Sequence, residues 1–391
     1  MELLISYNKR IKEFNIGING GTDILRQLQK GNNASTVNGL NVPNLFTIGN
    51  SKDQPSVGNT RSDFRYSALY TTGNISWRNY LTAEFTLRQD WMSDLPPTKS
   101  FILSKSAGLS FVFSDLLKWQ PLSFGKFRAS MGQVPTGIGV YRYPGFAYGV
   151  GSVQWNGNFL MGTPDQLVDP NISGSVTQLK EFGLDLRFLK NRVGLSVTYW
   201  TGDDRNFPTT IPINGTSGFS SILTNAGLIT KRGYNIQAMG RPVWGKNLKW
   251  EINATWGILA ENKVVSIAPG TNRIAIEGLW GSTGPYMVHQ EGRDWGQIFG
   301  NGIKRINGQP VLDANGFYVN DPNVFFGSAL PKHTGGFQTQ VEYKGFVLNA
   351  NADWQIGGKF FSLSNMWGSF SGLTARTAVV NDKGNPIRDA V

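Results

Sequence analysis

Apolar and polar residues alternate along much of the chain, the pattern of a β-strand with one apolar and one polar face. The clearest case is residues 182–199, where every second position is apolar on both sides of the polar residues 190–192. Folding the chain back there places apolar residues opposite one another: Phe188 and Val193, Leu186 and Leu195, Leu184 and Val197, Phe182 and Tyr199. The pattern predicts a β-hairpin with one wholly apolar face.

The same pattern recurs along the chain. Residues 344–345 and 78–80 each separate two alternating segments whose apolar positions match when the chain folds back. Further hairpins are predicted over residues 105–132 and 233–259, and a first strand over residues 9–19. The sequence therefore predicts about eleven strands, all antiparallel.

Long segments rich in Gly, Asn, Ser, Thr and Pro separate the hairpins, and we expect them to be loops. They are residues 20–62, 133–175, 201–231, 260–333 and 357–391. Short turns thus alternate with long loops, as in bacterial outer-membrane barrels, whose periplasmic turns are short and whose extracellular loops are long.

Aromatic residues bracket several predicted strands. Trp77 and Trp91 bracket one strand, and Phe346 and Trp354 bracket another. These spacings are similar to the ~9–11 residues that a tilted strand needs to cross hydrocarbon. A soluble β-sandwich or propeller is the alternative, because its strands also have one apolar face. The charged residues on the polar faces and the long loops favour an antiparallel transmembrane β-barrel.

Composition narrows the candidate functions. Only 16% of the residues are charged, there is no Cys, and there are two His residues, so the chain offers little for metal or His-based chemistry. The formal net charge is +11, but the basic residues are scattered rather than clustered, and we predict no nucleic-acid partner. No catalytic residue, cofactor or metal site is predicted, and we expect that the protein is not an enzyme.

Several short motifs occur in the order typical of one family, although none is specific by itself. The chain resembles the C-terminal part of the SusC/RagA family of TonB-dependent outer-membrane transporters. The motifs that carry the resemblance are FRASMGQ at 127–133, EFGLDLRFLKNR at 181–192, NAG at 225–227, LKWE at 248–251, ENKV at 261–264, ALPK at 329–332, GG at 335–336 and EYKGF at 342–346.

The resemblance implies a place in a barrel of about 22 strands in the bacterial outer membrane. It implies import of oligosaccharides or peptides, energy from TonB through a plug domain, and a SusD-like surface lipoprotein as partner. No plug domain or closing strand is recognisable, so we expect residues 1–391 to be a partial barrel domain of about eleven strands that does not form a pore alone. A passive porin or adhesin-type barrel and a secreted glycan-binding β-protein are the alternative functions.

The predicted loop 260–333 carries the candidate substrate contacts. Its aromatic residues lie among many glycines and amides, a composition suited to stacking on sugars or binding peptides. The alternative is that these rings pack the loop against itself. The candidates are Trp280, Tyr286, Trp295, Phe299, Phe317 and Tyr318.

Overall fold

The computed structural model describes residues 1–117, 119–143, 149–279, 284–380 and 384. Its strands are β1 (Glu2–Ile11), β2 (Phe14–Leu40), β3 (Ser51–Trp77), β4 (Leu81–Met92), β5 (Phe101–Val112), β6 (Leu122–Thr136), β7 (Gly149–Trp155), β8 (Asn158–Gly162), β9 (Gln166–Val168), β10 (Ser175–Phe188), β11 (Val193–Pro212), β12 (Ser221–Trp244), β13 (Leu248–Ser266), β14 (Arg273–Gly278), β15 (Tyr286–Gln290), β16 (Gln297–Ile303), β17 (Arg305–Ile306), β18 (Gln309–Pro310), β19 (Asn320–Ser328), β20 (Pro331–Tyr343) and β21 (Phe346–Gly357).

Helices are few and short. They are α1 (Ser114–Leu117), α2 (Leu363–Phe370) and 3-10 turns at Ile48–Asn50, Gly215–Ser217 and Ala375–Thr377. Within the described ranges, none of the helices has the length and apolar character needed to cross a membrane.

The chain forms two compact units. Unit 1 comprises Met1–Leu228 and Asn235–Pro242, and unit 2 comprises Ile229–Tyr234 and Val243–Val391. The sheet of unit 1 has the strand order β1-β2-β3-β4-β5-β6-β10-β11-β12. Unit 2 contains the consecutive strands β13-β20-β21 and a separate four-stranded sheet, β14-β15-β16-β19, which we call the loop sheet.

The registers predicted from the alternating pattern are confirmed. Phe188 pairs with Val193 and Phe182 with Tyr199 between β10 and β11. The same agreement holds between β20 and β21 and between β3 and β4. The hairpin predicted over 105–132 is formed by β5 and β6, with α1 in its connection. At the turn predicted near residue 245, the Gly245 amide donates to the Leu248 carbonyl at 2.8 Å.

Three predictions about the elements are wrong in detail. The single strand predicted over residues 9–19 is two strands, because the chain turns back at Lys12, whose φ is +53°. No Gly, Asn or Pro marks that turn. The segments 20–62 and 201–231 are largely strand and not loops: β2 and β3 pair as far as Leu40 and Ser51, β11 continues to Pro212, and β12 begins at Ser221. Finally, β9 pairs with β12 in parallel, so not every pairing is antiparallel.

Buried apolar residues form small clusters beside the long strands. In unit 1 the cluster consists of Leu95, Ile102, Ile138, Ile172 and Leu223. In unit 2 the loop sheet buries Val288, Ile298 and Phe299. Neither cluster covers the apolar face that the alternating pattern defines.

That apolar face is exposed along the strands of unit 1. Leu81 is 37% exposed, Phe85 42%, Leu109 47% and Phe182 46%. Exposure of such a continuous apolar surface to water costs a free energy of about 25 cal/mol for each Å². The apolar face of the sheet is therefore exposed and is not buried in a core.

Candidate functional site

The opposite, polar face of unit 1 carries paired charges. On β4, Arg88 and Asp90 lie two positions apart and so share a face, and the Arg88 Nε donates to Asp90 Oδ1 at 2.9 Å. The Tyr66 hydroxyl donates to Asp23 Oδ2 at 2.6 Å, and Arg88 lies 3.5 Å from the same oxygen. The guanidinium also lies 5.8 Å from the ring centres of Tyr66 and Tyr70. Arg88 is thus held in a fixed position on the polar face.

A second charged cluster lies nearer the short turns. Asp185 on β10 accepts a hydrogen bond from the Ser196 hydroxyl at 2.5 Å. Arg128 Nε and Lys126 Nζ lie 3.3 and 3.6 Å from its other carboxylate oxygen. Arg128 also donates to the Thr198 hydroxyl at 2.5 Å. In the strand order β4-β5-β6-β10, the strands β4, β6 and β10 thereby carry compensated charge on the same side of the sheet.

Small residues between these clusters create a depression on the polar face. Its volume is about 680 Å³, and its lining includes Ser106, Gly108, Ser130 and Gly132 on β5 and β6. Glu84 lines it as well, and a Cβ added at Gly108 would lie 2.7 Å from Glu84 Oε1. The absence of side chains at the glycines therefore provides the space. The depression offers hydroxyls and carboxylates to a polar ligand or to a polypeptide segment.

The loop sheet has an aromatic core. The rings of Tyr286 and Phe299 meet edge to face at 5.2 Å, and those of Phe299 and Phe325 do so at 4.8 Å. Arg273 lies 4.3 Å from the Phe299 ring centre and Arg293 lies 3.9 Å from that of Phe325. The aromatic rings and the guanidinium groups stabilise this sheet together.

His289 is buried in the same sheet, where it is 8% exposed. Its ring lies 5.5 Å from that of Trp295. Burial lowers the pKa of His289 to about 4, because the apolar surroundings disfavour the charged imidazolium. The side chain is therefore neutral at physiological pH.

The structure separates the six predicted substrate contacts. Trp280 lies outside the described residues. Phe299 is 1% exposed, and Tyr286 and Trp295 are half-buried within the loop sheet. By contrast, Phe317 is 69% and Tyr318 62% exposed. Packing of the loop against itself accounts for the position of Phe299, whereas Phe317 and Tyr318 present their rings to the surroundings.

A compact turn positions these two exposed rings. The carboxylate of Asp313 accepts hydrogen bonds from the amides of Asn315 and Phe317, both at 2.9 Å. The amide of Asp313 donates to the Phe317 carbonyl at 2.8 Å. Asp313 thus orders the turn through the hydrogen bonds that aspartate makes to its own backbone. Across the described ranges, no group of three or more His, Asp or Glu side chains is arranged to hold a metal ion.

Sequence reasoning missed one further cluster. Arg26, Arg61 and Arg65 surround Asp63, where β2 and β3 extend into the segment predicted to be a loop. A strand signal was absent there because both faces of the extension carry polar residues. The charges of opposite sign at alternate positions 61, 63 and 65 were the only available hint.

Known proteins match this chain along most of its length. The family model described as "TonB dependent receptor-like, beta-barrel" matches residues 6–385. A "TonB-dependent receptor P3" of Formosa agariphila is 22% identical over 401 residues, covering 92% of this chain and 39% of that protein. The chain thus spans about two fifths of the length of this relative.

Solved structures share the fold. The "open-open" state of the RagAB peptide importer matches with a TM-score of 0.75 at 16% identity, over 91% of this chain and 40% of that one. Its "closed-closed" state matches with a TM-score of 0.73 at 18% identity, over 91% and 41%.

These matches confirm the predicted antiparallel β-barrel fold and the resemblance to TonB-dependent transporters. They also agree with the predicted location in the bacterial outer membrane and with a receptor rather than an enzyme. With a family model that covers residues 6–385 and long strands whose apolar residues are exposed, this chain belongs to the TonB-dependent receptor-like β-barrel family.

Proposed function

We propose that the protein imports nutrients, either oligosaccharides or peptides, across the outer membrane. Energy comes from TonB through a plug domain, and a SusD-like surface lipoprotein covers the outer opening. Residues 1–391 supply barrel wall and extracellular loops to this importer. One observation carries the proposal: the long strands have an exposed apolar face and an ion-paired polar face.

The dimensions of the apolar face fit a bilayer. Along β4, Leu81 and Trp91 lie ten positions apart on this face, about 34 Å of strand. With a strand tilt of about 45°, this corresponds to about 24 Å, close to the ~25 Å apolar band of outer-membrane barrels. Aromatic pairs lie at both ends: Trp77 with Tyr80 at 6.3 Å, and Trp91 with Phe101 at 6.0 Å.

The polar face then faces the interior of the barrel. Its charged clusters are hydrogen-bonded and compensated, which keeps the low-dielectric wall stable while the surface stays hydrophilic. The depression lined by Glu84, Gly108 and Gly132 gives this surface room for a plug segment or a passing substrate.

Phe317 and Tyr318 are the substrate contacts that we favour among the six loop aromatics. Their exposure supports this choice, since a ring must reach the ligand to stack on it. The Asp313 turn holds the pair in one orientation, which reduces the entropy lost on binding.

Uptake by whole cells tests the function. Cells that carry the protein should accumulate a labelled oligosaccharide or peptide, and deletion of TonB or collapse of the proton gradient should abolish uptake. A mixture of peptides and one of oligosaccharides, supplied separately, identifies the substrate class. Flux that persists without TonB, in cells or in proteoliposomes, would instead identify a passive pore.

Removing the lipoprotein tests the proposed partner. Cells that lack the SusD-like lipoprotein should retain the barrel in the outer membrane but lose affinity for the substrate. Copurification of the two proteins in detergent is the direct measurement. Unchanged uptake and no copurification would contradict the partnership while leaving import itself intact.

A further inference from the structure

A basic cluster lies on β2 and β3, beyond the aromatic end of the apolar face. We call it the outer arginine cluster: Arg26, Arg61 and Arg65 around Asp63, together with Lys30, which pairs with Arg61 in the register of β2 and β3. Arg26 donates to both Asp63 oxygens, at 3.0 and 2.8 Å, and Arg65 does so at 3.2 Å to each. Arg61 lies 3.8 Å from the same carboxylate. Four cations and one anion leave this cluster with three uncompensated positive charges.

The register places the cluster on the apolar side of the sheet. Arg26 pairs with Arg65 and Lys30 with Arg61. Side chains alternate along a strand, so Arg26 shares its face with Ile18 and Ile24, which point outwards and are 46% and 49% exposed. The guanidinium groups therefore project from the membrane-facing side and not from the polar face.

The register also gives the height of the cluster. Trp91 pairs with Ser67, and Arg65 lies two positions further along β3, about 7 Å of strand. After a tilt of about 45°, Arg65 and its partner Arg26 stand about 5 Å beyond the tryptophan. This is the depth of the lipid headgroups. It is also the side of the long loops, which in such barrels is the extracellular leaflet.

The charges of the cluster are accessible. The side chains of Arg26, Arg61 and Arg65 are 51%, 63% and 59% exposed, whereas Asp63 is 14% exposed beneath them. The hydrogen bonds from Arg26 and, to a lesser extent, from Arg65 hold the pKa of Asp63 well below its usual range. This carboxylate therefore stays ionised. Asp63 thereby orients the forks of Arg26 and Arg65 without neutralising the cluster.

An apolar groove lies directly below the cluster on the same face. Its volume is about 650 Å³, and small residues, including Gly20, Thr22 and Thr71, form its floor. Thr22 precedes Arg26 by four positions on β2, so the groove and the cluster adjoin. The apolar side chains that flank the groove are Leu3, Ile5, Leu69, Leu87 and Leu103.

We propose that the cluster and the groove together bind one phosphate-bearing acyl lipid of the outer leaflet. The guanidinium groups bind the phosphate, for which their planar forks are well suited. An acyl chain occupies the groove, whose apolar walls match hydrocarbon. Charge complementarity selects the anionic headgroup, and the adjoining groove selects a lipid over a soluble anion. This inference goes beyond nutrient import and does not depend on the identity of the imported nutrient.

Lipid retention by the purified protein tests the proposal. The complete importer that contains residues 1–391 is placed in phosphatidylcholine nanodiscs that contain a minor fraction of lipid A. The lipids that remain after extraction are counted by native mass spectrometry. We expect lipid A with its phosphates to be retained, and lipid A without phosphates to be lost. Inorganic phosphate at millimolar concentration should not displace the lipid, because it cannot occupy the groove.

Two variants separate the headgroup from the acyl chain. Arg26→Gln with Arg65→Gln should lower retention about twenty-five-fold, since each basic side chain near an anionic lipid contributes about fivefold. Gly20→Leu should also lower retention by filling the groove. A Cβ added at Gly20 meets no atom within 4 Å, so the backbone there has room for the start of a side chain.

Matched controls keep the test specific. Lys304→Gln with Arg305→Gln removes the same charge from an exposed site in the loops. Gly240→Leu adds the same side chain where a Cβ again meets no atom within 4 Å. Both controls should retain lipid A as the parent does. If the double arginine variant does not fold, judged by heat-modifiable gel mobility, Lys30→Gln with Arg61→Gln replaces it.

Three results would overturn the proposal. One is equal retention of lipid A with and without phosphates. The second is parent-like retention by the folded arginine variant. Displacement by inorganic phosphate would also contradict it and would indicate a site for the free anion.

Discussion

His289 shows how burial in the loop sheet changes the chemistry of one side chain. Its pKa is lowered to about 4 in the folded protein, against 6.5 for an exposed imidazole. On acidification, His289 is protonated first in molecules whose loop sheet has opened, because there its pKa is 6.5. The contribution of His289 to the stability of the loop sheet is therefore fully present above pH 6.5 and is lost as pH falls towards 4. The loss amounts to roughly 3 kcal/mol.

Hydrogen exchange of the amides in β15 and β16, corrected for intrinsic rates, measures this loss. Protection should fall between pH 6.5 and pH 4 in the parent protein. In His289→Gln it should depend much less on pH, because the neutral amide does not titrate. An equal pH dependence in both proteins would assign the effect to other groups.

Asn225 joins three segments of unit 1. Its side-chain oxygen accepts from the Ser173 amide at 2.6 Å, and its nitrogen donates to the carbonyls of Ser173 and Asn206, both at 2.7 Å. Asn225→Ala leaves these part-buried groups unsatisfied, and we expect a local loss of about 1–3 kcal/mol. Proteolysis of the segment 169–174 is the readout. The control Asn214→Ala, at an exposed turn, should change it little.

At the scale of the strands, the two faces should respond differently to the same substitution. Ala107 lies on the apolar face opposite Phe85, near the middle of the band, and Ser106 lies on the polar face. In the complete importer that contains residues 1–391, Ala107→Arg should destabilise folding into lipid vesicles by about 2–4 kcal/mol, the cost of a charge at the bilayer midplane.

Ser106→Arg is the matched control, since its side chain enters the depression on the polar face. Urea titration of the vesicle-inserted protein gives both free energies. Equal costs at Ala107 and Ser106 would mean that the faces are not divided between lipid and water.

The pairing of the strands followed from sequence only where one face was apolar. The register of β10 with β11 was predictable because a slip of one position would move Phe182 and Leu184 to the polar side. The extensions of β2 and β3 carry polar residues on both faces, so the period-two signal disappears there. The turn at Lys12 was also not predicted, because its composition resembles that of the flanking strands.

For the molecule as a whole, the proposed function assigns substrate binding to the loops and the transmembrane path to the wall. Phe317→Ala with Tyr318→Ala should raise the substrate concentration for half-maximal uptake about fivefold for each ring removed. The reason is that each stacking contact contributes roughly 1 kcal/mol of binding free energy. The maximal rate should stay unchanged, because the wall and its coupling are untouched. Phe360→Ala, at a residue 87% exposed, is the control. Parent-like affinity in the double variant would exclude these rings as substrate contacts.

The sequence by itself determined which residues of each hairpin share a face, because alternation is a local property of an extended chain. It also pointed to the family, through short motifs in a fixed order. Only the tertiary structure decided that Phe299 is enclosed while Phe317 is exposed, and that Asp63 gathers Arg26 beside Arg61 and Arg65. Those outcomes depend on contacts between segments far apart in the chain, which no local pattern encodes.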